Sequence, residues 1–133
     1  MLLTPLAGWW LIGDQSFTGR PRDDLDYAFR APEIAGWITA VAGAIALVIA
    51  TAAVITVVLA VRRGLIDDRW LGVIGMLIGA GVVLAFIART ATAGVVGANI
   101  GAGLAIFFGG AIVAGLVVAA GLRSWWIVAQ QAP

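Results

Sequence analysis

Gly94 to Gly121 reads GVVGANIGAGLAIFFGGAIVAGLVVAAG, a stretch without a single charged side chain. Small residues recur in it at helical spacing. Gly97, Gly101, Ala105 and Gly109 fall every four residues, and Ala111, Gly115 and Ala119 continue the spacing on a neighbouring face. Residues four apart share one side of an α-helix. In lipid no hydrophobic drive pushes helices together, and small side chains hold them by letting backbones approach closely. The stretch therefore predicts a bilayer helix packed tightly against others.

The rest of the chain fits that setting. Of its 133 residues 62% are hydrophobic, and only 8 basic and 7 acidic side chains are present. A soluble domain of this length carries far more charge. The net charge is +1 and the arginines are scattered, so the basic patch of a nucleic-acid binder is missing. Cysteine and histidine are absent, and all eight basic residues are arginine. That composition removes thiolate chemistry, disulfides and iron–sulfur ligation. It also removes the usual haem ligand and proton shuttle, and Schiff-base formation. The expectation is a protein with no cofactor, no metal and no catalytic residues.

Outward from the opening stretch, the chain divides into residues 1–33 and a three-helix transmembrane domain, 34–133. Met1 to Ile12 is apolar but too short to span, and no basic region precedes it as in a signal peptide. Thr4 and Pro5 suit a helix start, Gly13 suits its end, and Trp9 and Trp10 suit the headgroup level, so a short interfacial or re-entrant helix is expected. Asp14 to Ala31 is the main polar segment, in which Pro21 could open a short helix placing Leu25 and Phe29 on one face. Its acidic cluster lacks the further ligands of a calcium loop.

Pro32 and Glu33 read as the start of the first spanning helix, about 34–61. Those 28 residues would extend about 42 Å at 1.5 Å each, against a hydrocarbon core of about 30 Å. Trp37 marks one interface, and Arg62 and Arg63 close the other end. Thr39, Thr51 and Thr56 can return their hydroxyls to the helix's own carbonyls. Gly64 stops the helix, and Asp67 or Asp68 caps the next, about 70–88, which contains the GxxxG pair Gly75 and Gly79 and has Trp70 at its start. A turn around Arg89 to Ala93 leads to the third helix, about 95–122, after which Arg123, Trp125 and Trp126 mark the interface.

The fold expected is thus all-α and integral to a membrane. Gly75, Gly79, Gly97, Gly101, Ala105, Gly109 and Gly115 are the expected packing positions. Trp9, Trp10, Trp37, Trp70, Arg89, Trp125 and Trp126 are the expected interface anchors. Arg89 is expected to snorkel from a helix end. A proton-driven rotor subunit needs a mid-membrane carboxylate, and none lies within these helices. The function expected is that of a non-catalytic accessory or scaffold subunit whose partners are other membrane subunits, or itself, and the lipid bilayer. A self-associating holin-like or small channel protein is the alternative, and a small-molecule carrier the third reading. A multi-pass protein of the cell membrane is expected, with the N-terminus outside and the C-terminus cytoplasmic. Arginines split four against four between the two sides, and Arg62 and Arg63 abut a helix end directly, which favours that orientation.

Overall fold

The computed structural model describes residues 3–16, 19, 25–31, 34–95 and 97–130. Among the described residues four helices follow in order: α1 (Thr4–Ile12), α2 (Gly36–Arg62), α3 (Arg69–Thr92) and α4 (Ala98–Ala129). Among the described residues there is no strand. The three long helices have 27, 24 and 32 residues, each long and apolar enough to cross a membrane. Pro32 and Glu33, expected to open the first long helix, lie outside the described residues; α2 itself begins at Gly36, after Ala35.

The helix ends follow from local chemistry. The start of α1 has Pro5 in its first turn, where a missing N–H leaves no bond broken. Its end is Gly13, at φ 72° and ψ −179°, a conformation open to glycine alone. α2 ends in a Schellman turn: Gly64 takes φ 70°, its N–H donates to Val61 O, and Leu65 N–H donates to Ala60 O. Asp67 then supplies the capping acceptor for α3, its Oδ1 taking the Arg69 N–H at 2.9 Å. Thr39, Thr56, Thr90 and Thr92 return their hydroxyls to carbonyls of their own helices.

Side by side, the helices form an open row in the order α2, α1, α3, α4, with no other strong pairing. The faces of α3 show why. A Cβ on Gly81 would meet Thr4 at 2.8 Å, and Ala85 abuts Gly8, so positions 81 and 85 carry α1. Gly79 faces Leu116, while Val83 and Ile87 face Gly109. At 100° per residue these two sets point in nearly opposite directions. α3 is therefore the sandwiched helix, and α2 and α4 are the edges.

Against α3, α4 presents Ala98, Ala102, Ala105, Gly109, Val113, Leu116, Ala120, Ser124 and Ile127, each buried or half-buried. The steps of four and three close every 11 residues, or 3.67 residues per turn. That value is near the natural period of a helix, so α4 keeps one side toward α3 along its length. Val73, Ala120 and Ile127 form the buried cluster at one end of this pair, with Trp70, Met76 and Leu77 packed around it.

α1 is the short N-terminal helix that the sequence predicts, but it does not lie flat across the helix ends. It stands parallel to α3, with Thr4 beside Gly81 at mid-helix and Trp9 beside Arg89 near the end. On its other side Trp10 sits on Gly43 of α2 so closely that the indole leaves no room for a Cβ there. α1 is thus a wedge in the mouth of a V whose arms are α2 and α3. The link 63–68 is the vertex.

Candidate functional site

Polar side chains of both charge signs gather at the mouth of this V. Arg89 is central to it. Its Nε donates to Trp9 O at 2.6 Å, and its guanidinium lies 3.6 Å from the Trp9 ring centroid. The C-terminal end of α1 leaves carbonyls without helical partners, so a cation there satisfies one and meets the negative end of the helix dipole. The Asp14 carboxylate is near enough to act on the same charge. Arg89 therefore sits on the last turn of α3 and reaches sideways into the protein.

The polar segment folds back over this end of the row. Phe29 N–H donates to Ala91 O at 3.0 Å, and Val95 N–H donates to Asp26 O at 3.1 Å, pairing residues 26–29 with 91–95. Ser16 Oγ accepts the Gly94 N–H at 3.0 Å. Tyr27 lies on Gly94 so closely that a Cβ there would fall 2.6 Å from the ring. Leu25 is buried while Phe29 is 62% exposed, so the two do not share the helical face expected of them. From Leu25 onward the described backbone is not helical, because the 91–95 link takes its hydrogen-bonding groups. Pro21, expected to open that helix, lies outside the described residues.

Between the segment and the helix ends lies a cleft of about 540 Å³. It is lined by Trp9 from α1, Asp14, Ser16, Tyr27, Arg30 and Ala31 from the polar segment, Ile34 just before α2, Gly36 and Thr39 from α2, and Thr92 from α3. Both charge signs, several hydroxyls and an apolar wall meet in one place. No pattern in the sequence singles out this cleft. Trp9 is the one lining residue expected among the sites, as an interface anchor.

The expected packing positions are distributed unevenly. Gly109 is closest: a Cβ would stand 2.7 Å from Ile87 Cγ1 and Cδ1. Gly79 would meet Leu116 at 3.5 Å and Gly101 would meet Thr90 at 3.9 Å, which are ordinary contacts. Ala105 is half-buried on the α3 side. Gly75 and Gly115 have open space where a Cβ would go. Gly97 does not belong to the helical stripe. It precedes α4 at φ 76°, a left-handed residue that turns the chain into the helix. The glycines that sequence spacing passed over, Gly8 and Gly43, are among the tightest of all.

The expected anchors divide similarly. Trp37 is 70% exposed and Trp125 is 71% exposed, and Trp126 also faces outward. Trp9, Trp10 and Trp70 are packed inside the row instead. Trp125 and Trp126 lie on α4, which continues past Arg123 to Ala129. Arg123 Nε reaches back to Arg69 O at 3.3 Å, and Ser124 Oγ bonds Ala120 O at 2.7 Å. At this opposite end Arg69 also bonds Gln130 Oε1 and lies 5.8 Å from the Trp126 ring centroid.

No protein-family model, curated protein or solved structure matches the chain.

Proposed function

We propose that this protein is a non-catalytic accessory or scaffold subunit of a membrane complex, and that its edge helices are the surfaces its partners use. The observation that carries this reading is the state of α2. Of its 27 residues only Gly43 and Ala46 are buried, and its one strong neighbour is the nine-residue α1. Apolar surface gains nothing by leaving lipid for another apolar helix, so position must come from close packing. α2 has such packing only around Gly43; a partner helix along the remainder supplies it elsewhere.

The reading is tested by extraction in mild detergent, native electrophoresis and mass spectrometry. Other polypeptides are expected to migrate with the protein, and a homogeneous homo-oligomer overturns the subunit reading. Self-association is the second reading, supported by the open row: α2 and α4 expose opposite edges, so copies joined edge to edge would close into a ring or extend as a chain.

We further infer a multi-pass protein of the cell membrane, with the 63–68 link and the end of α4 in the cytoplasm. Arg62, Arg63, Arg69 and Arg123 gather at that end. The chain has no cysteine, so single cysteines at Leu65 and Gln15 are clean reporters. A membrane-impermeant maleimide applied to intact cells is expected to label Gln15→Cys and spare Leu65→Cys. The reverse pattern inverts the topology.

A further inference from the structure

We infer that the side of α2 carrying Thr51 and Arg62 seats one transmembrane helix of another polypeptide, with a hydrogen-bond acceptor at mid-bilayer depth and a carboxylate at the level of Arg62. This seat rests on the subunit reading above and adds the partner's chemistry to it. Two polar groups mark the place. Thr39 and Thr56 bond carbonyls of α2, and Thr90, Thr92 and Ser124 do the same on α3 and α4. Among the described residues, neither the Thr51 hydroxyl nor the Arg62 guanidinium has a hydrogen-bond or ionic partner, and both side chains are exposed.

Helix geometry puts the two groups on one line. They are separated by 11 residues, three helical turns, so they share a side and stand about 16 Å apart along the axis. With Arg62 at the headgroup boundary, Thr51 lies near the middle of a hydrocarbon core of about 30 Å. The side they share is not the one α1 covers. Thr51 is about 110° round the helix from the mean direction of Gly43 and Ala46, the buried residues of α2. Val48 and Ile55, which flank it, are exposed.

These two groups select the occupant. A hydroxyl without a partner in hydrocarbon is costly, and acyl chains offer it no acceptor. Helices that touch in a bilayer do, through side-chain oxygens or closely approached carbonyls. A lipid phosphate meets Arg62 and leaves Thr51 bare, whereas a helix meets both. Charge also separates a foreign helix from a second copy. Two copies joined through this side by a two-fold axis set Arg62 against Arg62, and an α4 laid there brings Arg123 to the same end. A helix with a carboxylate at that level is attracted instead.

The probe is a synthetic spanning helix of leucine and alanine with an asparagine at its midpoint and a glutamate near one end. It is reconstituted with the full-length protein in dioleoylphosphatidylcholine vesicles, at dilutions where it does not self-associate, and association is read by resonance energy transfer. It is expected to bind about tenfold more tightly than its leucine–alanine parent, about threefold from each polar group. Thr51→Val is expected to remove the share of the asparagine alone, and Arg62→Gln that of the glutamate alone, with the thermal midpoint of the protein unchanged. Equal binding of probe and parent overturns the inference, as does an asparagine effect that survives Thr51→Val. Dioleoylphosphatidylglycerol forms a further arm: if it displaces the probe completely and Thr51→Val changes nothing, the occupant is an anionic lipid and the helix seat is overturned. Native electrophoresis of the Thr51→Val, Arg62→Gln double variant separates this seat from the subunit reading. Loss of co-migrating polypeptides supports the seat; their full retention overturns it and leaves the subunit reading standing, and a homogeneous homo-oligomer of the unaltered protein overturns both.

Discussion

The α3–α4 pair and the α2–α1 pair solve one problem in two ways. α3 and α4 meet along a seam whose α4 side runs from Ala98 to Ile127 at an 11-residue repeat, so each turn adds a little contact. α2 is held at one level, where Gly43 receives Trp10 of a helix only nine residues long. Without a hydrophobic drive in lipid, a distributed seam tolerates the loss of any one contact, whereas a single socket does not. Position in this protein is secured redundantly on one side and locally on the other.

Gly43→Ala is the sharpest way to break that contrast. The new Cβ would overlap the root of Trp10, which has no flexible end to move, so α1 must shift. Overpacking of this kind costs on the order of 3 kcal/mol. Thermal unfolding in detergent is expected to show that loss, and Gly8→Ala, 2.8 Å from Ala85, shares its direction. An unchanged midpoint for Gly43→Ala would show that α1 is not the element holding α2.

Arg89→Gln comes next. It removes a charged hydrogen bond to Trp9 O and the stack on the Trp9 ring, together about 2 kcal/mol. Arg89→Lys is expected to recover only part, because an ammonium lacks the planar fork and face of a guanidinium. Smaller still is Gly109→Ala on the α3–α4 seam, at about 1 kcal/mol, since the end of the Ile87 side chain can swing aside. Gly115→Ala and Gly75→Ala, with open space around them, are expected to leave the isolated protein unchanged or slightly more stable, alanine being the better helix former by about 1 kcal/mol. If Gly115→Ala disrupts a native complex while sparing the monomer, the outer face of α4 is an interface.

The smallest effect belongs to Asp67. The Arg69 N–H holds its carboxyl below the ordinary carboxylate value. Its contribution is therefore complete above that ordinary value, about 4, and disappears as pH falls through the lowered one. Asp67→Asn is expected to flatten this acid limb of the melting profile and to leave the neutral-pH behaviour of the α1 socket untouched.

The long helices were readable because charge-free runs of this length have few other fates. Their ends were less so. Arg123 and Ser124 look like a helix stop, yet one snorkels back to Arg69 O and the other bonds within its own helix, so α4 runs on to Ala129. Thr90 and Thr92 likewise look like a turn and are absorbed by carbonyls of α3. The seam was partly visible as a four-residue spacing, although every third step is three residues and the repeat closes at 11. The wedge was not visible at all. It depends on Gly8, Gly43 and Gly81, glycines on three different helices with no shared period. The cleft was equally hidden, since its walls come together only through backbone bonds between residues 26–29 and 91–95, which leave no pattern in side-chain order.

The upright stance of α1 has a consequence for biosynthesis. Its seat on α3 is made by Gly81, Ala85 and Arg89, and Trp9 is separated from Arg89 by 80 positions in the chain. When α1 leaves the ribosome, the α3 surface that seats it has not yet been made. It must wait at the bilayer surface while α2 inserts and α3 is synthesised, and then slide between them. The first helix translated is the last of these three to reach its place.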